Sequence, residues 1–156
     1  MQSLVLLIWL TLCAAQDARQ RRIANALTLG VGALALVYLL YFGTTWTGAA
    51  AEQGGWACLV ALAFTVPGYF MGRMGAGDVK LMTALGLATD GLSLLGVFIG
   101  AGVASVVWIL LAPRVWLHMS QGLRHRLRYM APSMSKKLPF APFVLVGFLL
   151  VLPWIH

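Results

Sequence analysis

Apolar residues fall into six runs along the chain, at 3–16, 26–43, 56–72, near 79–90, 91–112 and 138–155, divided by shorter polar stretches. A helix crosses a bilayer with about 20 apolar residues, and roughly 17 are tolerated. The pattern predicts six spanning helices, of which the fourth is short. It is bounded by Asp78 and by "ATDG" at 88–91, where Asp90 and Gly91 mark a turn. About 12 helical residues reach only ~18 Å, so its N-terminus is expected to open into a wet pocket below the ordinary interface. The alternative, one long helix through 79–112, would bury "TDG" in mid-span.

Composition agrees with the pattern. Of 156 residues, 61% are hydrophobic and 10% charged, too little polar surface for a soluble domain of this length. The predicted fold is all-α, a polytopic integral membrane bundle of about six helices forming a single domain over 1–156. The first run, "MQSLVLLIWLTLCAA", has the length of a signal-peptide core, but no Lys or Arg precedes it while Arg19, Arg21 and Arg22 follow it. Retention as a span is the expectation.

Charge then orients the bundle. The eleven basic residues form three groups: Arg19, Arg21 and Arg22; Arg73 and Lys80; and Arg114, Arg124, Arg126, Arg128, Lys136 and Lys137. With six spans all three fall on one side, and the opposite connections hold no Lys or Arg. The positive-inside rule makes that side cytoplasmic and puts both termini outside. The net charge of +7 is thus a topology signal, and nothing resembles a basic surface interleaved with base-stacking aromatics, so no nucleic-acid partner is expected. Cys13 and Cys58 are isolated in apolar runs, which gives neither a zinc site nor a disulfide framework. No metal or cofactor is expected.

Four acids remain. Glu52 and Asp90 fall in outer connections and read as solvated. Asp17 ends the first span and Asp78 begins the fourth, so opposite ends of oppositely directed helices bring both to the cytoplasmic side at similar depth. Ionisable groups near a membrane interior are functional by default. Asp78 also stands in "RMGAGDVKLM", where Gly75 and Gly77 can adopt φ > 0 and let another chain approach the backbone closely. Lys80 either offsets carboxylate charge or snorkels to the interface. Two facing carboxylates cannot both ionise easily and tend to share one proton. The ionised member takes a proton from water, the protonated one polarises a peptide carbonyl, and the amine leaves protonated. His118, His125 and His156 are explained by their positions in the basic loop and at the terminus.

These residues resemble a known family. "GAGDVKLMTALG" is similar to the GxGD-VK signature of the type IV prepilin peptidases, membrane aspartyl proteases. "DARQRRIANALTLG" resembles their first-aspartate segment, and "KLPFAPFVLVG" their Pro-Phe-Gly-Pro element. The resemblance covers most of the chain. It implies that Asp17 and Asp78 are the catalytic pair, supported by Gly75, Gly77 and Lys80. It also implies a substrate, a pilin-like precursor whose short basic leader is cut at the cytoplasmic face of the bacterial inner membrane. Ala24 stands where the family often has Pro, and Ala141 where the last Gly of Pro-Phe-Gly-Pro is expected. The long segment with paired cysteines that accompanies N-methylation is missing, as in the short, peptidase-only form of Flp or Tad-type pili; the archaeal preflagellin peptidases are a near cousin.

Three features remain. In the connection over 113–137, Trp116, Met119, Leu123, Leu127 and Met130 form an apolar stripe with Arg124, His125 and Arg128 largely off it, which predicts an amphipathic helix on the cytoplasmic leaflet. Gly96 and Gly100 form a close-packing element, with intramolecular packing favoured. Pro67-Gly68 predicts a kink in the third span. The expected function is a membrane aspartyl endopeptidase. Two readings from other classes stand beside it, a small proton-coupled transporter, with acids near mid-membrane, and a non-catalytic pilus-assembly subunit.

Overall fold

The computed structural model describes residues 1–132 and 138–155, and every regular element among them is helical. Helix α1 (Gln2–Gln20) ends at Arg21, whose φ of 54° is left-handed. Its N–H returns to the Asp17 carbonyl at 2.8 Å, which closes the helix. After a short bend, a π turn over Ala26–Gly30 leads into α2 (Val31–Phe42). The Trp9 indole N–H donates to the Leu27 carbonyl of that turn at 2.7 Å, satisfying a backbone group within an irregular stretch.

Helix α3 (Ala51–Phe70) and helix α4 (Ala76–Ala88) pack closely, because small residues face each other. A Cβ built on Gly86 would lie 2.9 Å from the Ala57 carbonyl. Pro67 lies inside α3 near its end. Gly68 next to it serves the chain reversal that follows: its carbonyl accepts from the Arg73 and Met74 N–H groups, and Met74 lies against the space a side chain would fill.

Between α4 and α5 (Gly91–His118) the backbone is extended at Thr89 and Asp90. The Asp90 carboxylate accepts from the Leu92 and Ser93 N–H groups at 3.1 Å and from the Ser93 hydroxyl at 2.6 Å, a cap that starts a new helix. The chain turns at "TDG", and the single long helix is excluded. Helix α5 has 28 residues, about 42 Å at 1.5 Å each. Among the described residues it is the one helix both long and apolar enough to cross a membrane by itself. The other five apolar runs also coincide with helices, α2, α4 and the last being shorter.

The connection after α5 departs from expectation. Helix α5 continues through Pro113 to His118, so the loop begins six residues beyond 112. In place of one amphipathic helix there is a short α6 (Gln121–Arg126) and a 3-10 turn over Arg128–Met130; the part of that expectation over 133–137 lies outside the described residues. The end of the apolar stripe turns inward, while Leu123 stays exposed. Met130 is buried, Leu127 packs on the core, and the Trp108 indole N–H donates to the Met130 carbonyl at 3.1 Å.

Helix α7 (Ala141–Val151), continued by a 3-10 turn over Leu152–Trp154, lies against α5 and α1. Gly100 faces Gly147 so closely that a Cβ on Gly100 would lie 2.7 Å from the Gly147 Cα, and Gly96 faces Val151. The pair expected to pack within the chain does so. The core is built of Leu6, Leu10, Leu81, Leu85, Val144 and Phe148. At one end of the bundle the C-terminus of α1 and the N-termini of α4 and α7 converge on shared cavities. At the other, the Thr47 N–H ties the α2–α3 loop to the Ala88 carbonyl at 3.2 Å.

Candidate active site

Asp17 and Asp78 line the same two cavities, one of about 510 Å³ and one of about 270 Å³. The larger is walled by Gln16, Gln20, Arg22, Ile23, Asn25 and Lys80 among others. The smaller lies under Arg73, Leu138 and Pro139. The acids, together with Arg21 and Gly75, form the partition between them.

Each carboxylate is held by backbone N–H groups at a helix start. Asp17 is 5% exposed, one turn before the end of α1, where the helix dipole disfavours an anion. The N-terminus of α7 compensates. Ala141 N–H donates to Asp17 Oδ2 at 3.0 Å and Phe140 N–H also reaches the carboxylate. Pro142 follows at the second helical position, where a missing N–H leaves no bond unmade. Asp78 is half-buried in the first turn of α4. Its Oδ2 accepts from Gly75 N–H at 3.0 Å while its own N–H donates to the Gly75 carbonyl at 3.1 Å, the acidic half of a capping box.

Both acids stand just outside the apolar runs at 3–16 and 79–90, at the polar mouth of the bundle. Burial raises the Asp17 carboxyl above its ordinary value, opposed by the Ala141 and Phe140 N–H groups and by Arg21. Burial and then the charge of Asp17 push Asp78 up to about 7, opposed by Gly75 N–H and Arg21. The two carboxyls therefore feel each other, and Arg21 acts on both.

The glycines play a different part from the one expected. Gly75 has φ −83° and ψ 156°, extended backbone open to any residue. Gly77 lies in the first turn of α4, is not among the glycines with positive φ, and meets Ile23 only at ordinary contact distances. What Gly75 supplies is room: a Cβ there would come within 3.3 Å of Asp78 Oδ2. The positive φ in this loop belongs to Gly72, at 70°. Lys80 donates to the Asn25 side-chain carbonyl at 3.0 Å and so ties α4 to the bend after α1. The family-like segments contain Arg21, Asn25, Phe140 and Ala141, but the sequence assigns none of them a part in holding the acids. For the last two the signal is the proline that marks a helix start. Among the described residues no three His, Cys, Asp or Glu side chains gather as a metal set.

The family model described as the type IV leader peptidase family matches residues 4–110. The chain belongs to that family. The match makes this leader-peptidase family member a peptidase, hence a hydrolase, and agrees with the apolar helices in making it a membrane protein. Both acids lie within the matched residues; the α7 N–H groups that hold Asp17 lie beyond them. No curated protein and no solved structure matches the chain at a significant level. At Ala24, where many type IV leader peptidases carry proline, the chain uses the N–H that proline lacks: it donates to Gln16 Oε1 at 3.0 Å and closes the bend beneath Asp17.

Proposed function

We propose that the chain is an aspartyl endopeptidase that removes the short basic leader of pilin-like precursors at the cytoplasmic face of the bacterial inner membrane. The observation that supports this most directly is the placing of two carboxylates from distant segments on the shared wall of two cavities. Asp17 has two N–H donors from α7 and is the better-stabilised anion. Asp78 holds its proton to about pH 7.

In the proposed cycle, Asp17 takes a proton from water, which attacks the scissile carbonyl. Asp78 gives its proton to the carbonyl oxygen as the tetrahedral intermediate forms. On collapse the C–N bond breaks as the proton taken by Asp17 passes to the departing amine. Asp78 takes a proton back from a hydroxyl of the tetrahedral carbon as its C=O reforms, so the pair again holds a single proton. Arg21 faces both acids and limits the rise of either.

The remaining charges bear on the substrate. Arg21, Arg22 and Lys80 line the larger cavity, so the basic part of a leader stays at the anionic bilayer surface while the uncharged residues beside the scissile bond enter. In a six-span arrangement the basic connections share one side, and the positive-inside rule then supports a cytoplasmic position for the cavities. The proposed subtype is the peptidase-only form of Flp or Tad-type systems, with Cys13 and Cys58 lying apart on α1 and α3.

The deciding experiment is cleavage of a synthetic precursor by purified protein in proteoliposomes. Asp17→Asn and Asp78→Asn should each abolish product while the protein remains inserted. Retained cleavage by either variant overturns the assignment, and proton flux without product would identify a transporter instead.

A further inference from the structure

A third cavity, of about 440 Å³, is lined by Arg19, His125, Arg126 and Arg128. Arg19 comes from the last turn of α1, and the others from α6 and the 3-10 turn after it. Every lining side chain is basic, and among the described residues no carboxylate enters the wall. Asp17 is two positions from Arg19 in sequence, but it is buried on the other side of α1 against Ala141. Arg124 is excluded from the group because its guanidinium donates to the Leu117 carbonyl at 2.7 Å. The Arg128 guanidinium is steadied 4.8 Å from the centre of the Tyr129 ring and donates to its hydroxyl at 2.9 Å. Gathering three guanidiniums around one hollow without an anion is unfavourable, and phosphate oxygens match their planar forks.

The apolar surface beside the cavity identifies the source of the anion. Residues 8, 12, 15 and 19 are spaced 4, 3 and 4 apart, one face of α1. Ile8 and Leu12 are 61% and 52% exposed, and Ala15 and Arg19 are exposed below them. Eleven residues of helix separate Ile8 from Arg19, about 16 Å, close to the depth of one leaflet of a ~30 Å hydrocarbon core. An acyl chain lying on Ile8, Leu12 and Ala15 delivers its headgroup to Arg19. A soluble anion or an acidic peptide makes no use of that stripe.

We infer that the hollow between Arg19 and the Arg126–Arg128 turn is a binding site for the phosphodiester headgroup of an anionic phospholipid, whose acyl chain lies along the Ile8–Leu12–Ala15 face of α1. The bound lipid clamps the end of α1 to the segment that follows α5. It requires the membrane setting but not the peptidase reaction.

The test uses the full chain in nanodiscs of phosphatidylcholine alone or mixed with phosphatidylglycerol, extracted into neutral detergent, with retained lipid counted by mass spectrometry. The wild type should retain phosphatidylglycerol selectively. Arg19→Gln, Arg126→Gln and Arg128→Gln combined should weaken retention roughly a hundredfold, about fivefold for each cation removed. Arg22→Gln, Arg73→Gln and Lys80→Gln combined remove the same charge elsewhere and should leave retention close to wild type. Equal losses in the two triple variants, or none in the first, overturn the site. Displacement of the lipid by millimolar inorganic phosphate would show a soluble-anion site and overturn the lipid assignment. Should the first triple variant fail to fold, single Arg126→Gln and Arg128→Gln variants, both at exposed positions, carry the same test at about fivefold each.

Discussion

Asp17 and Asp78 are alike as side chains and differently held. Asp17 receives N–H groups from another helix, Asp78 the N–H of its own cap residue, and the charge of the first raises the second. One proton on the pair is the working state in the proposed cycle, so cleavage should fall as pH rises through about 7, where Asp78 gives up its proton. Arg21 opposes that rise, so removing its charge lets Asp78 keep its proton to higher pH. Arg21→Asn, with a residue that tolerates left-handed backbone, should move the alkaline limb upward in a cleavage profile. Asp17→Asn takes away a raising influence and should move the Asp78 carboxyl band, followed by infrared difference spectroscopy, to titrate at lower pH. Gly75 allows a steric test at the same scale. Its backbone suits any residue, yet a methyl there lies 3.3 Å from Asp78 Oδ2. Gly75→Ala should leave thermal stability nearly unchanged and lower cleavage roughly 10- to 100-fold by turning the carboxylate.

At the scale of elements, the positions of apolar runs and of turn residues were legible in the chain. "TDG" ends one helix and caps the next because Asp90 offers its carboxylate to two backbone N–H groups. The meeting of Asp17 and Asp78 was legible too, since basic residues and helix direction put both at one end. Other contacts were not. Ala141 and Phe140 hold Asp17 with main-chain N–H groups from 124 and 123 positions away, and a backbone donor leaves no mark on residue identity. The Gly75–Gly77 pattern suggested left-handed backbone, but glycine is equally a way of omitting a side chain, and pattern alone does not separate the two uses. The amphipathic stripe after α5 misled because Leu127 and Met130 serve the core, which the same spacing describes as well as a lipid surface.

For the whole molecule, the surface is apolar where a soluble protein's would be polar. Helix α5 exposes Ile99, Val103, Val106 and Leu110 along its length, and α2 exposes Leu34, Val37 and Leu40. Burial of apolar surface between helices supplies little drive when lipid is as apolar as the core, so close approach of small residues carries the packing. Gly147 is the tightest such point, with a Cβ there overlapping the Val97 carbonyl. Gly147→Val should lower the thermal midpoint in detergent, with an overpacking cost of about 1–3 kcal/mol or more. It should also reduce cleavage further than stability alone explains, because α7 carries the donors to Asp17.

That dependence reaches into biosynthesis. The carboxylate in the first helix is not fully set until residues 140 and 141 have been made and their helix has docked. Under the proposed mechanism, a partly translated chain that already contains Asp17 and Asp78 should be inert, and hydrolytic power should arrive in one step once α7 has docked.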